Sequence, residues 1–438
     1  MATTQTGAKP ARTETRPGTY FRSLTVENVR CFGPAQTLDL SDGRGRHAPW
    51  TVVLGENDVG KTTILTCLAA LGSTRHTMAG ETSNATRLYF REAFPGLRTL
   101  RKIGNHQGRL EAELSFSSAA REPQTIEIKI EPDNTTIPLL FGVELLTFHY
   151  GASRRMPLGG GLTERDERVS IFLDDDVALR DPEDWLLKAD YNARLRDSNA
   201  ERFEAFAKRV QEALISILPD VVEIRIQSAD EPGGSPRVEA KTSYGWVPLR
   251  RLGFGYQSQI AWLVDFASRM FERYPDSADP LAEPAVVLVD EIDLHMHPRW
   301  QRQLIGYLTD LCPNTQFIVT AHSPLVVQAA ADANIVLLRR EGDHVVIDND
   351  PEVLRNWRVD QILTSELFGL ESARPPQIEA QLKERRTLLA KPKLTSRDRG
   401  RLAKLEAEIG DLPAGESAED RRAMELIRRA ADKLQSGA

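Results

Sequence analysis

Cysteine is scarce in this chain. Cys31, Cys67 and Cys312 are the only three among 438 residues. They cannot build a disulfide scaffold, and their spacing fits no zinc site. Long apolar runs are missing as well. No stretch approaches the roughly 18 residues that a membrane-spanning helix needs, and the N-terminus has no secretory apolar segment. No membrane partner is therefore expected, and a cytoplasmic chain with reduced thiols is. Nor is there an excess of positive charge. Lys and Arg number 56 against 63 Asp and Glu, a net charge of −7. Proteins that coat nucleic acid are usually basic, so any such contact must come from a local patch. Repeats and sustained heptads are lacking too, which argues against a long coiled-coil arm.

What is present is an ordinary globular mix, 41% hydrophobic and 27% charged. The length suits two or three lobes. Residues 1–19, rich in Thr, Ala, Gly, Pro and Arg, read as a disordered leader. Residues 20–150 form the first part of a head. Phe21, Leu24, Val26 and Val29 have strand rhythm, Trp50–Leu54 is an apolar strand, and a helix runs from Lys61 to about Leu71. Arg109–Phe116 and Thr125–Ile130 alternate as antiparallel strands with one buried face do, and Leu145–Tyr150 is a further strand.

Residues 151–220 are a charged, helical insertion with Gly159–Gly161, Asp174–Asp176 and a helix over Asn199–Leu218. Residues 221–358 return to the head. Val221–Gln227 and Arg237–Thr242 flank a Gly/Pro loop. Ala285–Val289, Gln316–Thr320 and Asn334–Leu338 alternate with helices such as Pro298–Leu311. That alternation makes an α/β core. Residues 359–438 read as wholly helical, with an interruption at Pro375-Pro376, a capping box at Thr395–Asp398 and a stop at Gly410. Residues 377–410 hold nine Lys or Arg and five Asp or Glu, a local patch of +4.

Gly55-Glu56-Asn57-Asp58-Val59-Gly60-Lys61-Thr62 satisfies G-x-x-x-x-G-K-[ST]. The glycines let backbone N–H groups turn inward around phosphates. Lys61 brings a point charge to the β- and γ-phosphates, and the Thr62 hydroxyl suits Mg²⁺. The helix opened by Lys61, Thr62 and Thr63 points its positive end at the same anion. ATP and Mg²⁺ are the expected cofactors. Val286–Val289 leads into Asp290-Glu291. Asp290 suits the second metal carboxylate of such a site, and Glu291 the base that activates water. His322 follows the strand that ends at Thr320. A His just past a strand's C-terminal end sits where open α/β sheets bind ligands, so His322 is a candidate γ-phosphate sensor.

Asp290 follows Lys61 by 229 residues, too far for a compact ring-forming ATPase. Between them, Leu252-Gly253-Phe254-Gly255-Tyr256-Gln257 makes a glycine-rich turn opening a helix, again an anion site. The order is phosphate loop, glycine turn, acidic pair, then His. In this order, and in Asn28-Val29-Arg30-Cys31-Phe32, the chain resembles the ABC-type ATPases of the RecF/SMC-like group. The resemblance implies an α/β fold: an ABC-type P-loop ATPase head with an antiparallel β lobe, a helical insertion and a helical C-terminal region. It implies a homodimer or higher even oligomer with ATP between heads. Arg30 would lie at the nucleotide, and Gly253, Gly255 and Gln257 would approach it across the dimer. Two departures stand out. Gly253 replaces the usual signature Ser, and Tyr150–Arg154 contains no lid Gln.

Asp290–Gln301 and Phe317–Pro324 resemble, more narrowly, the ATPase subunits of Septu-type and retron-associated anti-phage systems. That likeness covers about residues 20–150 and 220–340. It implies a sensor and scaffold that controls a separate nuclease or toxin effector. The partner loop would be Leu294–His297, with His297 where Asp is usual; His295 and His297 lack further nearby metal ligands. Two rivals remain. One is a DNA-repair or DNA-maintenance ATPase acting on DNA ends. The other is a nuclease within the chain, since Pro219-Asp220…Glu239-Ala240-Lys241 has PD…ExK spacing. The +4 patch could serve nucleic acid or an effector, though few phosphate contacts would be weak and salt-sensitive.

Overall fold

The computed structural model describes residues 17–72, 107–117, 121–130, 135–136, 145–154, 156–157, 179–195, 199–227, 235–330, 332–351, 357–370, 372–391 and 395–409. Most of the expected leader, Gly159–Gly161, Asp174–Asp176 and Gly410 lie outside these residues. The chain divides into two compact units, residues 1–369 and 370–438.

At the centre of the first unit is a six-stranded sheet: β3 (Trp50–Gly55), β7 (Thr147–Tyr150), β11 (Ala285–Val289), β12 (Thr315–Thr320), β13 (Asn334–Glu341) and β14 (His344–Asp348). The order is β14-β13-β3-β12-β11-β7. All pairings are parallel except β13 with β14. Val287, Val289, Phe317 and Val319 enter one core, whereas Val286, Leu288 and Ile318 enter another. Burial on both faces explains why these strands read as continuous apolar runs.

A second sheet is antiparallel, in the order β2-β1-β4-β5-β6: β1 (Thr19–Glu27), β2 (Gln36–Asp39), β4 (Gly108–Phe116), β5 (Gln124–Ile130) and β6 (Thr135–Thr136). Helix α1 (Lys61–Gly72) packs on strands of both sheets, and every residue from Thr63 to Gly72 is buried. A helix enclosed on all sides needs apolar or small residues all round, as Ile64–Gly72 provides. Gln316, also at this junction, is polar and fully buried. Its Nε2 donates to Phe21 O at 2.8 Å and its Oε1 accepts from Phe21 N at 2.9 Å. The carboxamide thus ties β12 to β1 with both of its ends satisfied.

The insertion supplies α2 (Pro182–Arg194) and α3 (Ala200–Ile217), which pack together. A small sheet of β8 (Glu223–Gln227), β9 (Arg237–Thr242) and β10 (Gly245–Pro248) follows, then α4 (Phe254–Arg273). Within α4, Asp265 is buried. It accepts from Tyr150 Oη at 2.9 Å and Arg269 Nε at 2.8 Å. This locks α4 to the end of β7, and burial first, then the Asp265 charge, pushes the Tyr150 phenol pKa up.

Several local expectations need correction. β1 ends at Glu27, because Asn28 and Arg30 take left-handed φ values of 54° and 44°. β10 and β14 are additional hairpin strands, each entered at a positive-φ glycine turn, Gly245 and Gly342. Pro298–Leu311 is two helices, α5 (Pro298–Gln301) and α6 (Leu304–Leu311). Gln301 Nε2 bonds back to the carbonyls of Asp293 and Met296, and Gln303 N–H closes a tight turn on Trp300 O.

After α7 (Pro324–Ala329), α8 (Val359–Leu363) is short and packs on it, with Ile362 in the core. Turns then run to Gly369, whose φ is 63°, so the region beyond Val359 is not continuously helical. The described residues of the second unit form a hairpin of α9 (Pro376–Leu389) and α10 (Ser396–Ile409). Thr395 and Asp398 cap α10 reciprocally: Asp398 N–H donates to Thr395 Oγ1, and Thr395 N–H to Asp398 Oδ2. Within the hairpin Arg401 pairs with Glu384, Arg385 with Glu406, Lys391 with Asp398 and Lys404 with Glu408. At least four of the nine cations in the patch are therefore paired within the hairpin.

Candidate active site

Four loops leave the C-terminal ends of neighbouring strands β3, β12, β11 and β7, the end at which parallel sheets place ligands. The phosphate loop follows β3. Gly55 and Gly60 have φ of 147° and 88°. A Cβ on Gly60 would strike Cys31 Sγ, and one on Gly55 would lie 2.7 Å from Leu338 O. Glycine is required there by both conformation and space. Glu56, Asn57 and Asp58 are exposed on the rim, while Val59 is buried. Lys61 is buried, and its Nζ donates to Gly55 O at 2.9 Å and Glu56 O at 2.6 Å. Burial holds its ammonium pKa below the usual lysine value, against the opposing pull of Asp290 and Glu291. Arg30 Nη1 reaches Thr63 Oγ1 at 3.4 Å, on the first turn of α1.

Asp290 joins the loops. Its Oδ2 accepts from Thr62 Oγ1 at 2.7 Å and its Oδ1 from Thr320 Oγ1 at 2.5 Å. A carboxylate beside a hydroxyl is an all-oxygen donor set, which fits Mg²⁺. Glu291 follows with φ of 47°, and its N–H donates to the same Thr320 Oγ1 at 2.7 Å. Its Oε1 lies 3.9 Å from His322 Nε2, each side chain about one-third exposed. His322 N–H in turn donates to both carboxylate oxygens of Asp293, at 3.0 and 3.3 Å. Lys61, Thr62, Asp290, Glu291 and His322 thus converge. Thr320, Asp293 and Arg154 complete the arrangement and were missed from sequence. Asp293 had a signal in the Asp-Glu-x-Asp run and Arg154 in the lid stretch Tyr150–Arg154; Thr320 had none.

The glycine turn packs on the loop that follows the acidic pair. Gly253 precedes α4, and a Cβ on Gly255 would strike the His295 carbonyl. Phe254 meets His295 edge-on at 4.6 Å and Tyr256 meets Trp300 likewise at 4.6 Å. The turn and Leu294–His297 therefore form one surface, with a cleft of about 360 Å³ that also touches Asp220. Gln257 Nε2 donates to Leu252 O at 2.7 Å and Arg250 O at 3.1 Å. His297 Nδ1 accepts from Arg299 N–H and so caps α5. The nuclease-like residues have other partners. Asp220 lines this cleft, whereas Glu239 is held by Arg225 and Arg237, and Lys241 pairs with Glu223 at 3.5 Å.

The family pattern described as "AAA domain, putative AbiEii toxin, Type IV TA system" matches residues 50–328, more than half of the chain. The chain belongs to this AAA-domain family. Septu protein PtuA of Bacillus mycoides (strain KBAB4) is 25% identical over 360 residues, 81% of this chain and 46% of that protein. The Retron Ec83 probable ATPase of Escherichia coli is 35% identical over 130 residues, 30% of this chain and 23% of that protein. The chain thus spans about half, or less, of the length of these curated relatives. Solved structures similar in fold include an Smc head bound to the C-winged helix domain of ScpA, with 16% identity and a TM-score of 0.46 over 75% of this chain and 97% of that one. A RecF structure from the RecFOR pathway has 14% identity and a TM-score of 0.43 over 76% and 100%. The phosphate loop and the acidic pair both lie inside the matched span, on an α/β head. Among the described residues, no helix is long and apolar enough to cross a membrane.

Proposed function

We propose that the chain binds ATP with Mg²⁺ and hydrolyses it, two heads pairing around the nucleotide, as the ATPase component of an anti-phage system that controls a separate nuclease or toxin effector. The observation that carries this reading is the Thr62–Asp290 bond, which joins the phosphate loop to the acidic pair across 228 residues of sequence. Lys61 and the Gly55–Gly60 backbone would hold the phosphates, and Thr62 with Asp290 would hold the metal. Magnesium bound there neutralises phosphate charge. Glu291 offers a carboxylate to take a proton from water, and His322 stands beside it to report on the γ-phosphate. Pairing of heads is supported by the glycine turn, where a 20-residue helix begins at the surface beside His295 and His297. The defence role is supported by the Septu and retron relatives.

Light scattering on Glu291→Gln with and without Mg-ATP tests the pairing. The mass should about double with nucleotide. An unchanged mass with nucleotide bound overturns pairing on ATP alone. Phosphate release with and without DNA tests the role: a slow, DNA-indifferent rate is expected. A steep rise with DNA ends would assign the chain to DNA maintenance instead.

A further inference from the structure

Arg154 stands in the segment after β7 and is only 4% exposed. A buried arginine needs acceptors, and it finds three carbonyls. Nη1 donates to Gly151 O at 3.1 Å and Asp290 O at 2.5 Å, and Nη2 to Glu291 O at 2.9 Å. One planar guanidinium therefore spans the post-β7 segment and both carbonyls of the acidic pair. Burial lowers its pKa to about 10, against the raising pull of Asp290, Asp293 and Glu291, so it is a cation at neutral pH.

Glu291 explains the need for such a hold. Its φ of 47° is a left-handed conformation that an ordinary L residue leaves unless held. The hold has two points. Thr320 Oγ1 takes the N–H of Glu291, and Arg154 takes its carbonyl. The direction of the Glu291 carboxylate follows from this backbone. We infer that Arg154 is a positioning residue that fixes Glu291 and links the post-β7 segment to it, so that hydrolysis depends on Arg154 far more than nucleotide binding does.

This rests on the ATPase reading, and the experiment separates the two. Phosphate release is measured first for the unmodified chain and Lys61→Ala. If no Lys61-dependent hydrolysis exists, the ATPase reading fails. If it exists, Arg154→Lys and Arg154→Gln are compared with the unmodified chain for kcat, KM, binding of a fluorescent ATP analogue and melting temperature. Lys keeps the charge and Gln keeps a planar donor; neither has the two-nitrogen fork that bridges Asp290 O and Glu291 O. The expected result is a kcat lower by about tenfold or more, with analogue affinity within about threefold. In single-turnover assays on a Glu291→Gln background, Arg154→Lys should add almost nothing, because both changes remove one function. A kcat within about twofold of the unmodified chain overturns the inference, as does a full additional loss in the Glu291→Gln background. So does a loss of affinity and melting temperature that accounts for the whole loss of rate. Failure of both variants to fold makes Arg154 a core residue and also overturns it.

Discussion

Asp290 and Glu239 are two carboxylates of one chain, 6% and 4% exposed, each within reach of a motif that promises metal chemistry. Their surroundings differ in kind. Asp290 is held by hydroxyls, Thr62 on one oxygen and Thr320 on the other. Glu239 is held by guanidinium groups, with Arg237 on one oxygen and Arg225 on the other. A hydroxyl orients a carboxylate and leaves its charge for an incoming cation. Two arginines neutralise it and lower its pKa through those hydrogen bonds. Burial does not tell the two apart; the partner does.

The largest effect should come from Asp290→Asn. Phosphate release should fall by about a hundredfold or more, comparable to Lys61→Ala. A rate within tenfold of the unmodified chain would remove Asp290's side of the contrast. Next is Thr320→Val, which keeps the shape but strips the hydroxyl shared by Asp290 and Glu291. Stability should drop by about 1–3 kcal/mol in denaturant titration, and kcat should fall without a matching change in ATP affinity.

Gln316→Leu is a control at the same sheet, away from the phosphate loop. Leaving Phe21 N and O without their partner should cost about 1–3 kcal/mol. Hydrolysis well below the melting temperature should stay unchanged.

Glu239→Gln should change least. Hydrolysis should be unaffected, and stability at neutral pH should fall by no more than about 1 kcal/mol, because the arginine partners are about two-fifths exposed. The pH dependence follows from the lowered pKa. The pair's contribution is present above the ordinary glutamate value and lost as pH falls through the folded-state value. The unmodified chain should therefore lose slightly more stability on acidification than Glu239→Gln does. Any divalent-dependent DNA cleavage abolished by Glu239→Gln would break the contrast from the other side.

Most of the candidate site was legible before folding. Gly55–Thr62, Asp290-Glu291 and His322 each sit at a strand end, and short local patterns reveal strand ends. Less was legible of the elements around them. The split of Pro298–Leu311 depends on Gln301 reaching back to Asp293 and Met296, which no periodicity encodes. The short α8 depends on packing against α7.

What the sequence determined by itself is the local chemistry: which residues can turn around a phosphate, which strands are apolar on both sides, and which acids end them. These follow from backbone freedom and side-chain period over a few residues. Only the tertiary structure decided which acid stays available. Placing β12 between β3 and β11 sets Thr320 against Asp290 and Glu291, and the end of β7 sets Arg154 beneath both. Strand order in a sheet is a long-range property, set by which faces bury together, and no local run of residues carries it.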